Sequence, residues 1–111
     1  MIRRGTVLLV SPGGVGGRKP RPSIVVQASG LDFPETIVVV PLTTSDSAMP
    51  DLKPTFQPDE TNGLKEQSNL MIQRIGSVRK SDVGDLIGAM SDEDMARVDA
   101  ALLMLLGLDV A

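Results

Sequence analysis

The sequence predicts a mainly β domain closed by a C-terminal helix. Short runs of β-branched and apolar residues recur along most of the chain, separated by glycine and proline. One amphipathic segment with clear start and stop signals occupies the end. At 111 residues there is room for one domain with a single core and little to spare. A small, strongly curved antiparallel sheet or partial barrel fits these observations.

Thr6 to Val10 is the first strand, introduced by Gly5 and stopped by Ser11-Pro12. Its apolar residues do not alternate, so both faces are covered. A glycine loop follows, Gly13-Gly14-Val15-Gly16-Gly17, then a second strand from Ser23 to Ala28. Thr36 to Val40 is the third, ended by Pro41, and Lys53 to Gln57 is a weak fourth, within the stretch Pro50 to Pro58 whose prolines suit a sheet edge. Asp59 to Gly63 is the clearest turn, with Asn62-Gly63 at its end. Ser68 to Val78 reads as a fifth strand, and Ser81 to Leu86 as a short helical turn broken by Gly88. Ser91 caps the final helix, Asp92, Glu93 and Asp94 carry the sign that its amino end favours, and Gly107 stops it. Met95, Val98, Leu102 and Leu105 make an apolar stripe, widened by Ala101, Leu103 and Leu106. That surplus of apolar surface points to a second subunit.

Composition removes several chemistries. With neither cysteine nor histidine, the chain has no disulfide, thiolate metal site, Ser-His-Asp triad or histidine base. No metal or cofactor is called for. Aromatic platforms for stacked bases are nearly absent, with Phe33 and Phe56 alone. No leader or membrane-length apolar run is present, so a cytoplasmic protein with no membrane partner is expected. The net charge of −3 hides a segregation. Arg3, Arg4, Arg18, Lys19 and Arg21 fall in the first 21 residues without an acid, whereas seven acids and only Arg97 follow Ser81. The amino-terminal part suits a polyanion.

The stretch Arg18-Lys19-Pro20-Arg21-Pro22 concentrates this charge. Each proline holds the residue before it out of the helical region, so Arg21 arrives extended at a strand mouth. A guanidinium fixed there can clamp a phosphate. A solvated basic loop is the alternative. Thr43-Thr44-Ser45 form a hydroxyl cluster beyond the third strand, of a kind that also satisfies turn backbone.

The order of motifs resembles the MazF/PemK family of toxins from toxin–antitoxin pairs. The matching pieces are Arg4 to Val10, Arg21-Pro22 with Ser23 to Gln27, and Val39-Val40-Pro41-Leu42-Thr43-Thr44-Ser45. Gly63-Leu64, Ser68 to Ile75, Ile87-Gly88 and Ala101 to Leu108 complete the order. The resemblance implies one such domain across residues 1–111, an SH3-like barrel of the MazF/PemK/CcdB type, and a homodimer. It implies a metal-independent endoribonuclease (an mRNA interferase) that cuts single-stranded RNA at preferred sequences by 2′-hydroxyl attack, neutralised by a cognate antitoxin. Carried over by residue, Arg21 and Thr43 contact the scissile phosphate, while Arg18, Lys19, Thr44, Ser45, Gln73 and Arg74 bind RNA. An acidic antitoxin segment would cover Arg3, Arg4, Arg18, Lys19 and Arg21.

Two departures stand out. Many members carry an acid before Arg-Pro, where this chain has Gly16, Gly17, Arg18 and Lys19, and many have Asp-Gln where it has Gln73-Arg74. The general base is thereby left unidentified. A CcdB-like toxin that binds DNA gyrase without cleaving, or a catalytically weak family member, is the alternative.

Overall fold

The computed structural model describes residues 2–11, 19–45 and 52–109. Among them seven strands pair antiparallel: β1 (Thr6–Val10), β2 (Arg21–Val25), β3 (Thr36–Thr43), β4 (Thr55–Phe56), β5 (Ser68–Leu70), β6 (Gly76–Arg79) and β7 (Val83–Ala89). The helix α1 (Asp92–Leu106) follows. Strand order is β4-β5-β3-β2-β1-β7, with β6 also paired to β3. The architecture is mainly β with a C-terminal helix, as expected, and β3 is the spine of the sheet. One edge of β3 meets β2, and the other meets β6 along its first half and β5 at its end.

The weak fourth strand shortens to Thr55–Phe56, and four other expected boundaries change, each for a reason of pairing. β2 starts at Arg21 and stops at Val25, so Arg21 lies inside the strand rather than before it. β3 runs through Pro41 to Thr43. Pro41 has no N–H to offer, but it falls between the residues paired to β6 and those paired to β5, and its carbonyl accepts from Met71 N–H at 2.9 Å. The expected strand Ser68 to Val78 is split by a 3-10 turn at Ile72–Arg74. From Leu70 to Gly76 is six residues, while the partners Leu42 to Val39 are three apart, so three are surplus and the turn absorbs them. It also drives Ile72 fully into the core.

The fourth change is the largest. The expected helical turn Ser81 to Leu86 is a 3-10 turn at Lys80–Asp82 followed by a seven-residue strand, β7, on the outer edge of β1. Gly88 does not break this strand. A Cβ there would lie 2.4 Å from the Thr61 carbonyl oxygen, and Ala89 N–H donates to that same oxygen at 2.8 Å. Gly88 is a point of backbone contact. Gly63 meets β7 from the other side with φ +69°, where a Cβ would sit 2.0 Å from the Ile87 carbonyl oxygen.

Apolar residues on the two faces of the strands form two clusters. Val7, Ile24, Val40, Leu42, Phe56 and Leu70 pack with Met95, Val98 and Ala101 of α1. On the opposite face Leu8, Val10, Val25, Ile37 and Val39 pack with Val78 and Val83 as the sheet curls. Covering both faces explains why the first strands do not alternate. Ser91 caps α1 by accepting from Asp94 N–H at 3.1 Å. Gly107, at φ +71°, closes it. The buried stripe is Met95, Val98 and Ala101, while Leu103, Met104 and Leu106 face outward. No described helix is long and apolar enough to cross a membrane.

Candidate functional site

The pairing of β2 with β3 builds the site. Val25 stands opposite Val39, Ile24 opposite Val40 and Ser23 opposite Pro41. Beyond Ser23 and Pro41, β2 begins at Arg21 and β3 ends at Thr43. Antiparallel pairing thus brings a guanidinium and a hydroxyl 22 positions apart in sequence to the same end of adjacent strands.

Both line a groove of about 650 Å³. Its apolar surface comes from Leu9, Pro22, Leu42, Leu64 and Ile87, its charge from Lys19, Arg21, Lys65, Glu66 and Asp85, and Thr44 adds a hydroxyl. Arg21 is exposed and forms no ion pair among the described residues. Such a cation is available to an anion from solution. One wall is formed by Gly63 and Leu64, the end of the turn Asp59 to Leu64. Asp59 accepts from the N–H groups of Thr61 and Asn62 at 2.8 Å each, and these bonds hold its carboxyl below the usual carboxylate range. Asn62, fully buried, accepts from Asp59 and Leu64 N–H and donates to the Gln57 carbonyl. The wall is therefore braced from within and jammed against β7 by Gly63 and Gly88.

The expected residues separate into groups. Arg21, Thr43, Lys19 and Thr44 line the groove together. Ser45 lies just behind it and donates its N–H to Thr43 Oγ1 at 3.3 Å. Gln73 and Arg74 are exposed on the 3-10 turn between β5 and β6 and do not line the groove. Arg18 and the glycine loop Gly13 to Gly17 lie outside the described residues.

The expected basic surface is divided. β1 runs antiparallel to β2, with Val10 opposite Arg21 and Val7 opposite Ile24, so Arg3 and Arg4 belong to the far end of this hairpin. Arg4 is consumed there, donating to the Asp99 carboxylate and, at 3.0 Å, to the Val26 carbonyl. The surface of Arg3, Arg4, Lys19 and Arg21 expected from charge alone does not form, because strand direction separates its members.

Sequence reasoning missed Lys65, Glu66 and Asp85. Glu66 and Asp85 put carboxylates into the groove, although neither sits in a motif. Asp85 and Ile87 of β7 both line the groove, on a strand whose pairing with β1 is irregular on either side of Leu86. Only the pairing of β7 with β1 reveals this. Among the described residues no group of three or more acidic, histidine or cysteine side chains is arranged to hold a metal ion.

Comparison with known proteins gives a consistent picture. Residues 3–106 match the family model of the PemK-like, MazF-like toxins of type II toxin–antitoxin systems. A probable endoribonuclease MazF of Mycolicibacterium smegmatis is 36% identical over 107 residues, covering 96% of this chain and 98% of that protein. Among solved structures, an endoribonuclease in complex with its cognate antitoxin from Mycobacterial species has a TM-score of 0.81 at 23% identity, covering all of both chains. The Mycobacterium tuberculosis toxin MazF-mt6 has a TM-score of 0.75 at 17% identity, over 95% of this chain and 99% of that one. At these identities the structural likeness bears on the fold alone.

Proposed function

Because the chain belongs to the PemK-like, MazF-like toxins of type II toxin–antitoxin systems, we propose that its groove cleaves single-stranded RNA. The observation that carries this reading is the meeting of Arg21 and Thr43 at adjacent strand ends, beside an apolar floor. The ribose 2′-hydroxyl attacks the neighbouring phosphorus in line, the bond to the 5′-oxygen breaks, and a 2′,3′-cyclic phosphate remains on the upstream fragment. Negative charge grows on the non-bridging oxygens as this happens. The Arg21 guanidinium binds one or two of those oxygens and the Thr43 hydroxyl donates to another, stabilisation of the kind whose loss costs about 2.7–4 kcal/mol per donor. The proton of the attacking hydroxyl passes to a groove carboxylate, Glu66 or Asp85, the departing 5′-oxygen takes a proton from water to become a hydroxyl, and Glu66→Gln and Asp85→Asn separate the two candidates. No metal ion enters this scheme.

Lys19 and Lys65 hold phosphates flanking the cut, and Thr44 and Ser45 offer further donors. Arg74 and Gln73 reach only a longer RNA that leaves the groove over the 3-10 turn. The antitoxin offers an acidic segment to Lys19, Arg21 and Lys65, and this contact weakens with salt. A second copy of the chain covers the outward apolar face of α1, where Leu103, Met104 and Leu106 are 44–59% exposed. Sedimentation at micromolar concentration tests that dimer.

The deciding experiment incubates purified protein with mixed-sequence single-stranded RNA in the presence of EDTA. Fragments ending in a 2′,3′-cyclic phosphate, or its hydrolysis product, support the proposal, and loss of cleavage with EDTA removes its metal-free form. Intact RNA together with stalled gyrase would replace it with a CcdB-like binding role.

A further inference from the structure

Register carries the row that contains Thr43 further across the sheet. Asn69 on β5 stands opposite Thr43, and Thr55 on β4 stands opposite Asn69. Within this row Asn69 alone is buried, at 5% exposure, and both ends of its amide are engaged. Its Oδ1 accepts from the Thr55 hydroxyl, and its Nδ2 donates to the Ser45 carbonyl. The Thr55 carbonyl in turn accepts from Arg97 at 2.7 Å, and that guanidinium lies 4.7 Å above the Phe56 ring. Ser45 is therefore tied, through two side chains, to the body of the fold.

What Ser45 does with that anchorage concerns Thr43. Ser45 N–H donates to Thr43 Oγ1. A hydroxyl has one proton and two lone pairs, and its proton swings freely until a lone pair is claimed. With one lone pair held by Ser45, the Thr43 proton is directed away from the turn. The buried amide, the turn and the hydroxyl form one mechanical unit.

We infer that Asn69 is a positioning residue that acts through Ser45 to aim the Thr43 hydroxyl. The inference rests on the reading of Thr43 as a donor to the scissile phosphate. Asn69→Ala removes both hydrogen bonds. Asn69→Asp keeps the size and the acceptor but turns a carboxylate oxygen toward the Ser45 carbonyl, which repels it.

A double-mutant cycle with Thr43→Ala tests the route, measured as single-turnover cleavage with thermal melting as a check on folding. Asn69→Ala and Asn69→Asp each lower the rate by about tenfold when Thr43 is present, and add nothing in the Thr43→Ala background. Losses that multiply instead would overturn the inference and make Asn69 a support of the fold at large. A second measurement needs no RNA. Amide exchange at Ser45 should quicken about tenfold in either variant while Val7 and Ile24 stay protected. Unchanged exchange at Ser45 would overturn the inference whether or not RNA is cut. If the unmodified protein cuts no RNA, the proposed function fails, and exchange still decides whether Asn69 holds the turn.

Discussion

The hairpin of β1 and β2 carries an arginine at each end, and the two are used in opposite ways. Arg4 is half-buried, spends its guanidinium on Asp99 of α1 and the Val26 carbonyl, and donates its backbone N–H to the Ser29 hydroxyl. Arg21 is exposed, has no ion-pair partner among the described residues, and faces a groove. One residue type thus locks the fold at one end and stays available at the other. What differs is the partner each meets through tertiary pairing, not the local sequence. A cation already neutralised by a carboxylate cannot offer its charge to a phosphate, whereas one held by strand position alone can.

The sharpest way to test this contrast is to remove each arginine. Arg21→Ala should lower RNA cleavage by about two to three orders of magnitude, the loss expected for one oxyanion donor, and leave the melting temperature unchanged. Arg21→Lys should recover only part of the rate, since an ammonium keeps the charge but not the planar fork. Near-normal turnover in Arg21→Ala would end the contrast and shift attention to Lys65 or Arg74. In the body of the fold the largest effect belongs to Gly88→Ala, where the new Cβ presses on the Thr61 carbonyl. We expect about 1–3 kcal/mol of lost stability, read from denaturant midpoints.

Arg4→Met is the mirror of Arg21→Ala. The Asp99 pair is partly exposed and screened, so it contributes about 1 kcal/mol at most, and the bond to Val26 adds a similar amount. Melting should fall by roughly 4–8 °C per kcal/mol in a domain of this size, with cleavage of RNA by the folded protein unaltered. A drop in kcat for Arg4→Met at a temperature where it is fully folded would show the two ends to be coupled.

Smaller effects refine the groove end. Thr43→Ala should cost less than Arg21→Ala, and Thr43→Ser should nearly restore the rate because the hydroxyl is kept. Acid gives the smallest effect. Backbone N–H groups depress the folded-state pKa of Asp59, so its contribution is complete above the ordinary carboxylate pKa of about 4 and is lost as pH falls through the lower folded value. Comparing the melting of Asp59→Asn with the parent at neutral and acid pH measures this, since the variant should show a shallower acid slope.

Much of this was legible in the sequence. The β class, the final helix with its Ser91 and Gly107 caps, and the family are carried by runs, caps and the order of motifs, all of them local signals. β7 was illegible because Ser81, Asp82 and Gly84 look like turn chemistry. Only β1, more than 70 residues earlier, supplies the edge on which Val83 to Ala89 can pair as a strand. Gly88 misleads for the same reason: its lack of a side chain serves a contact with Thr61 and Asn62 that sequence does not display. Pro41 reads as a stop because a missing N–H usually ends a strand, and its tolerance depends on a gap in the opposing pairing. Charge was legible, but its grouping was not. Arg3, Arg4 and Arg21 look like one basic cluster until the antiparallel pairing sends them to opposite ends.

The sheet order has a consequence for how such a protein is made. Among the described residues the first strand pairs with the last, so Leu9 of β1 and Asp85 and Ile87 of β7 meet in the groove only after the chain has been built through Ala89. Domains emerge from the ribosome amino end first, and pairings between distant segments form late. β2 and β3 can bring Arg21 and Thr43 together well before that, but one wall of the groove is missing until β7 arrives. A chain still in synthesis therefore brings Arg21 and Thr43 together without the enclosure around them, and the groove closes only once β7 has been made.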